Sequence, residues 1–483
     1  ALHTACISWV HTDKVVKQLI SAGINVDCRN DEGETALHFA LWQRKECDCI
    51  AYSDETEDVR IQDNNVNTAV RCACAENKIN VVEQLIAAGI DINCQSNNGE
   101  TSLHIALGQT KELVQVLLSN RPDVSIKDNH RNTVLHRACV ERIGDKFIEQ
   151  LLALGVDINC KNDCGSTALQ IALQRNRRNM VQVLLTHGAD VCPQDIIGNT
   201  ALHYACFSGT TVYIVEQLIA MGVAINCRNK CGKTALHIAT LLPTGHIVPV
   251  LLRNGAEVDI RDKNLETELY KVIKVMVQYT EYRENGHKIM LMLLDWGSSL
   301  FNETSRKETL FSFASQFACT RNVVKKHTIK LKCAKLPFIE TIDDESDEYS
   351  SYKLKCLEEV EIMKSTKFSI NHSLYCVFSG CIGYLMVEEV EEAIYSPEIQ
   401  SKLPIYCSLL EATFVKTKKR QGLLDLAKNS LSHLLQNNDI FRKMTIPNEI
   451  VQMILSFTDN DTLTNLINTT RTASTDTQPG STD

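Results

Sequence analysis

The chain has 483 residues, 44% of them hydrophobic, and its 50 lysines and arginines against 59 aspartates and glutamates leave a net charge of −9. That length suits two or three globular domains, or one extended array with a terminal domain. The acidic balance, with no long basic stripe, argues against nucleic acid as the main partner. The longest apolar stretch, Leu374 to Val387, falls well short of the roughly 18 residues a membrane span needs.

From the N-terminus onward a threonine recurs about every 33 residues, at Thr35, Thr68, Thr101, Thr133, Thr167, Thr200, Thr234 and Thr267, usually opening Thr-Ala-Leu-His. Within Thr68 to Cys94 the spacing predicts a short, small-faced first helix (Ala69, Val70, Ala73). A second helix then carries Val81, Val82, Leu85 and Ile86 and stops at Gly89, which can take the left-handed conformation. No single helix pair encloses its own core, so stability must come from stacking. This unit resembles the ankyrin repeat, which implies an all-α solenoid of helix-turn-helix units. The units also alternate: a cysteine follows the glycine at Cys28, Cys94, Cys160 and Cys227, spaced by 66, 66 and 67 residues. The array therefore reads as duplicated two-repeat blocks.

Several positions depart from the rule. The second unit replaces its second helix with a segment holding Glu46, Asp48, Asp54, Glu55, Glu57 and Asp58, which reads as a solvated, frayed helix. Arg121-Pro122 stands where the fourth unit should have its glycine. The unit near Leu265 has Glu268 and Tyr270 in its motif and a longer run to Gly297, as expected of a degenerate last repeat with an insertion. The chain opens at Ala1 inside an Ala-Leu-His motif, which leads us to expect that part of a repeat, and any leader peptide, precede it.

Catalytic and cofactor chemistry is poorly represented. The motif histidines His3, His38, His104, His136, His203 and His237 are too regularly spread to converge on one metal, and each is expected to bond within its own turn. Cys47 and Cys49 with Cys72 and Cys74 imitate a zinc pair, but Cys74 holds the ordinary Ala-Cys place of the repeat. Cys231-Gly232-Lys233-Thr234 resembles the end of a phosphate loop, yet the first glycine of that motif is replaced by Cys227. Most of the 20 cysteines sit at repeat-equivalent places and read as small, reduced core residues. We expect no enzyme, no metal and no cofactor. What the array offers is a row of turn tips and a concave helical face. Ile196 and Ile197, two isoleucines at one tip, together with Arg175, Arg177 and Arg178 of the same unit, are the candidate contacts for a target protein.

Beyond residue 300 the period vanishes. Helical patterns occupy Leu310 to Val324, Tyr352 to Lys364, Leu374 to Ile394 and Leu423 to Leu435, interrupted by the acidic run Asp343 to Glu348 and by Pro397 and Pro404. In the last motif, Ile446-Pro447-Asn448-Glu449-Ile450, Pro447 fits a first helical turn and Glu449 the positive end of the helix dipole. Ile450, Ile454 and Phe457 share a face, with Val451 and Leu455 beside it. Asp461 can cap a second short helix carrying Leu463, Leu466 and Ile467.

This pair resembles a shortened F-box, the hairpin that docks on the Skp adaptor of cullin–RING ubiquitin ligases. An ankyrin array ending this way is similar to the PRANC family, found in poxviruses, intracellular bacteria and parasitoid wasps. Cys356 to Lys364 and Leu403-Pro404-Ile405-Tyr406 also look like segments of that family. The resemblance implies that Ile446, Pro447, Glu449, Ile450, Ile454, Leu455, Leu463 and Leu466 contact the Skp adaptor. It divides the chain into ankyrin repeats at 1–264 (about eight, the first truncated), a degenerate repeat at 265–300, a helical PRANC-like region at 301–443, the F-box-like motif at 444–468 and a disordered tail at 469–483. The function so implied is a cytoplasmic adaptor, with no membrane partner, that presents a captured target to a Skp–cullin ligase. The alternative is a non-catalytic ankyrin inhibitor, resembling those of NF-κB-type factors, that sequesters a signalling or transcription factor.

Overall fold

The computed structural model describes residues 70–437, apart from 72, 88, 97, 142, 243–244, 303–308, 337–346, 368–372 and 380–386, together with 460, 463 and 464. The chain divides into two compact units, Ala1–Leu242 and Pro243–Asp483. Among the described residues the elements are helical and no strand is present, only isolated bridges at Lys127–Thr133 and Lys367–Ser373.

In the first unit, short first helices alternate with longer second helices. They are α1 (Ile79–Ala87), α2 (Ser102–Ala106), α3 (Lys111–Ser119), α4 (Val134–Val140), α5 (Asp145–Ala153), α6 (Ala168–Gln174), α7 (Arg178–Thr186), α8 (Ala201–Ser208), α9 (Val212–Ala220) and α10 (Ala235–Ala239). The first helices α2, α4, α6, α8 and α10 pack side by side in one row, and the second helices α1, α3, α5 and α7 in another. Fully buried Ala106, Ala138, Ala172, Ala205 and Ala239 permit the close approach of the first row. In the second row, Val114 and Leu117, Ile148 and Leu151, and Val181 and Leu184 are buried.

Each first helix starts the same way for a stated reason. The threonine is the N-cap, and the histidine three residues on accepts its backbone N–H through Nδ1, at 3.2 Å in Thr101–His104, Thr133–His136, Thr200–His203 and Thr234–His237. A cap of this kind is worth about 1 kcal/mol per helix. Because Nδ1 accepts, Nε2 carries the proton, and it donates to the next repeat, from His136 to the Ser166 carbonyl and from His203 to the Lys233 carbonyl, both at 3.1 Å. His136 and His203 therefore do more than close their own turn: they link neighbours. Gln170 stands in the same place, accepting from Thr167 N–H at 2.9 Å and donating to the Pro193 and Asn199 carbonyls.

The turn tips form a second ladder. Backbone N–H groups of Asn129, Asp163, Ile196 and Lys230 donate to the carbonyls of Asn98, His130, Cys164 and Ile197 one repeat earlier. Side-chain links follow the two-repeat rhythm expected from sequence. Asn162 and Asn229 donate their amides to Asn132 and Asn199, while Asn93 and Asn159 accept from the backbones of Asp123 and Asp190. Second helices end at left-handed glycines, Gly89, Gly155, Gly188 and Gly222, and Arg121 adopts φ 48° at the place where its unit lacks the glycine.

The second unit contains α11 (Ile247–Arg253), α12 (Glu268–Gln278), α13 (Arg283–Asp295), α14 (Leu310–Gln316), α15 (Ala318–Cys333), α16 (Asp347–Ser365), α17 (Val387–Tyr395), α18 (Pro397–Lys402) and α19 (Cys407–Asn437). Thr267 still caps α12, accepting from Tyr270 N–H, and Gly297 still ends α13 with φ 92°. The two helices are 11 and 13 residues long, longer than those of the first unit. Tyr270, standing where other units have histidine, stacks on Phe313 at 5.1 Å.

Two helical patterns differ from expectation. Leu374 does not open one helix to Ile394. Leu374 N–H bonds the Thr366 carbonyl beside the Lys367–Ser373 bridge, and Leu374–Ser379 forms a 3-10 turn. The pattern at Leu423 to Leu435 belongs to a 31-residue helix that starts at Cys407. It starts there because buried Glu359 accepts the N–H groups of Ile405 and Tyr406, at 3.0 and 3.1 Å. Around Cys356, Val360, Leu374, Ile394, Tyr406 and Phe414 the helices share one apolar core. Buried Asp295 pairs with Lys330 at 2.7 Å and His327 at 3.3 Å, and Tyr406 donates to the Lys330 carbonyl.

Candidate functional site

Stacking the first helices side by side turns a sequence position into a row. Residues four places after the threonine fall in one row, as Ile105, Arg137, Ile171, Tyr204 and Ile238. Those three places further on lie one helical turn away on the same face, as Val140, Gln174, Phe207 and Leu241. From α6 to α10 these rows are mostly apolar yet not covered. Phe207 is 65% and Leu241 39% exposed, and Ile171, Tyr204 and Ile238 are half-buried. Five neighbouring apolar groups left uncovered in this way mark an interaction surface.

Tyr204 joins this strip to the turn tip. Its hydroxyl donates to Asp195 at 2.5 Å, and burial, reinforced by that carboxylate, pushes the phenol up to about 12, so it stays a donor. The other Asp195 oxygen accepts the N–H groups of Ile197 and Asn199, at 3.0 and 2.8 Å. Ile196 and Ile197 are thereby held out at 53% and 51% exposure while their backbones stay bonded to the tips on either side.

The three arginines separate. Arg175 and Arg178 are exposed beside the strip, whereas Arg177 donates through Nη2 to the Val140 carbonyl of the preceding repeat at 2.9 Å. Arg177 is thus a link within the array, used up before any target arrives. The sequence reading missed Tyr204, Phe207 and Leu241. Phe207 alone carried a local signal, as an aromatic ring where the preceding units have Gly108, Val140 and Gln174, whereas Tyr204 stands in a row that is apolar in most units.

Other candidate chemistry is accounted for. The Cys231 to Thr234 segment is an ordinary turn, with Asn229 accepting from the backbones of Cys231 and Lys233. Cys74 is buried in the array core, and Cys47, Cys49 and Cys72 lie outside the described residues, as does the acidic segment 46–58. Among the described residues no group of histidine, cysteine and carboxylate side chains is placed to hold a metal, and no helix is long and apolar enough to cross a membrane. A cleft of about 720 Å³ on the second-helix side, lined by Glu83, Lys111, Gln115 and Phe147 among others, is open and mixed in character.

Of the terminal motif, Ile446, Pro447, Glu449, Ile450, Ile454, Leu455 and Leu466 lie outside the described residues. Leu463 is helical and fully buried, so its side chain is covered by this chain. Its neighbour Thr464 bonds the Asn460 carbonyl, and Arg420 of α19 reaches the Asn460 side chain at 3.0 Å.

The family described as ankyrin repeats in three copies matches residues 51–128, 70–159, 135–229 and 194–262, and that described as ankyrin repeats in many copies matches residues 2–52. The chain belongs to the ankyrin-repeat proteins, whose repeats are protein-interaction modules. Similar proteins include an ankyrin repeat protein of fowlpox virus (strain NVSL), 25% identical over 69% of this chain and 91% of its own length. The E3 ubiquitin-protein ligase KEG of Arabidopsis thaliana is 26% identical over 50% of this chain. The B-cell lymphoma 3 protein homolog of Mus musculus is 26% identical over 43% of it. The chain spans only 16% of the plant ligase and 48% of the mouse protein.

Proposed function

We propose that this protein is a substrate-recruiting adaptor, in which the strip from α6 to α10 captures a target protein and the segment 446–466 engages the Skp adaptor of a cullin–RING ubiquitin ligase. The observation that carries the capture half is the uncovered apolar strip of Ile171, Tyr204, Phe207, Ile238 and Leu241, flanked by Ile196 and Ile197. Arg175 and Arg178 give its edge positive charge, which favours a target with an acidic rim around an apolar centre. The ligase half is supported by the residue pattern Ile446 to Leu466 and by likeness along most of the chain to a viral ankyrin protein. Likeness to the plant ligase adds little, since the matched part is a small share of that protein.

The mechanism is effective concentration. Holding target lysines near a charged conjugating enzyme turns a bimolecular encounter into a local one, and the chain need supply no catalytic group. Ile446, Ile450, Ile454, Leu455 and Leu466 make the adaptor contact, Pro447 and Glu449 fix the helix start, and Leu463 supports the hairpin from within.

Co-purification of the full chain with purified Skp adaptor tests this, with Ile450→Asp as the control. Binding that is lost in a variant keeping wild-type circular dichroism supports the adaptor. A folded wild-type chain that does not bind leaves a protein that sequesters its target and delivers it nowhere.

A further inference from the structure

Cys333, the last residue of α15, is half-buried, and Cys356 of α16 is completely buried in the apolar core that Cys333 borders. Each thiol perturbs the other more than any further group does, which sets the two side by side between α15 and α16. On its outer side the Cys333 sulfur also lies against the Lys353 carbonyl, at 4.0 Å, which holds it to α16. Elsewhere Cys139 and Cys206 fill the array core, and Cys164, Cys192 and Cys231 are exposed on turns. This pair places an accessible thiol against an inaccessible one.

The electrostatics divide the labour. The neighbouring Cys356 thiol, with the cations of Lys353 and Lys332, outweighs desolvation and brings the Cys333 thiol down to about 7. The same pairing, together with burial, pushes the Cys356 thiol up. Near neutral pH about half of Cys333 is the thiolate, the nucleophilic form, while Cys356 retains its proton.

We propose that Cys333 and Cys356 form a redox-active dithiol that a low-molecular-weight disulfide converts to an intramolecular disulfide bond joining α15 to α16. The Cys333 thiolate attacks one sulfur of the external disulfide, forming a mixed disulfide and releasing one thiolate, which takes a proton from water. Cys356 then loses its proton and its sulfur displaces the second thiolate from Cys333, and that leaving group takes up the proton. Two cysteine thiols are oxidised and one external disulfide is reduced to two thiols, with Cys333 the attacking and Cys356 the resolving residue.

The full chain is incubated with oxidised glutathione, quenched in acid, and mapped by peptide mass spectrometry. Wild type should yield a Cys333–Cys356 cross-linked peptide, while Cys356→Ala accumulates glutathione on Cys333 and Cys333→Ser leaves Cys356 unmodified. With wild type alone, which removes any doubt about folding of the variants, alkylation of Cys333 should follow a thiolate titration with its midpoint near 7. At pH 7 its reaction with the disulfide should be roughly four-fold faster than that of an ordinary thiol, the thiolate gain being partly offset by lower nucleophilicity. A wild-type chain in which Cys333 ends as a stable glutathione adduct without the cross-link, or titrates like an unperturbed cysteine, overturns the proposal.

Discussion

The histidines of the repeat motif make the array sensitive to acid. Burial holds the His104, His136 and His203 imidazoles below the usual histidine range, so the folded chain keeps them neutral while the unfolded chain binds protons from about pH 6.5 downward. The stability they lend is complete above that value and is lost as pH falls below it. Urea unfolding at pH 7.5 and 5.5 should therefore show a lower midpoint in acid, and His136→Gln with His203→Gln should flatten the difference. Gln170 shows that the replacement is structurally sound, since it makes the same two kinds of bond without a titrating ring. In the second unit, Lys330→Met should be far more damaging. Burial pushes the Asp295 carboxyl up, but Lys330 and His327 outweigh it and hold it below the usual range, so removing Lys330 strands a buried charge. We expect a loss of about 3–5 kcal/mol by denaturant titration.

At the scale of the element, the helix ends and the strip matter most. Arg121 occupies a left-handed position that its neighbours fill with glycine, and Arg121→Gly should stabilise the array by roughly 0.5–1 kcal/mol in thermal or chemical unfolding. Phe207→Asp should leave the unfolding midpoint nearly unchanged, within about 0.5 kcal/mol, because the ring is mostly in solvent. It should still abolish target capture, measured by pull-down against wild type. These elements were legible in sequence to different degrees. Thr133, His136 and Gly155 announced a capped helix pair because cap, tautomer and left-handed turn are each set by one residue type at one spacing. The strip was less legible, because Tyr204 and Phe207 acquire meaning only once stacking aligns them with Ile171 and Ile238. The start of α19 was hidden altogether, since it depends on Glu359 reaching across from α16 to Ile405 and Tyr406, a contact with no local signature.

For the whole molecule the capture and delivery we propose are separable in principle, because the residues proposed for them, Phe207 and Ile450, lie more than two hundred positions apart. The periodic part of the chain declared its fold through repetition, whereas the region after residue 300 has no period, and there helix boundaries were set by long-range partners that sequence spacing cannot reveal. The decisive property is bridging of two partners by one chain. The most direct measurement expresses wild type, Phe207→Asp and Ile450→Asp side by side and quantifies co-purified Skp adaptor and the proteins enriched with wild type. We predict that Phe207→Asp retains the Skp adaptor and loses the enriched target, while Ile450→Asp retains the target and loses the adaptor. A wild-type chain that never brings down the Skp adaptor, or variants that lose both partners together while remaining folded, would contradict the account.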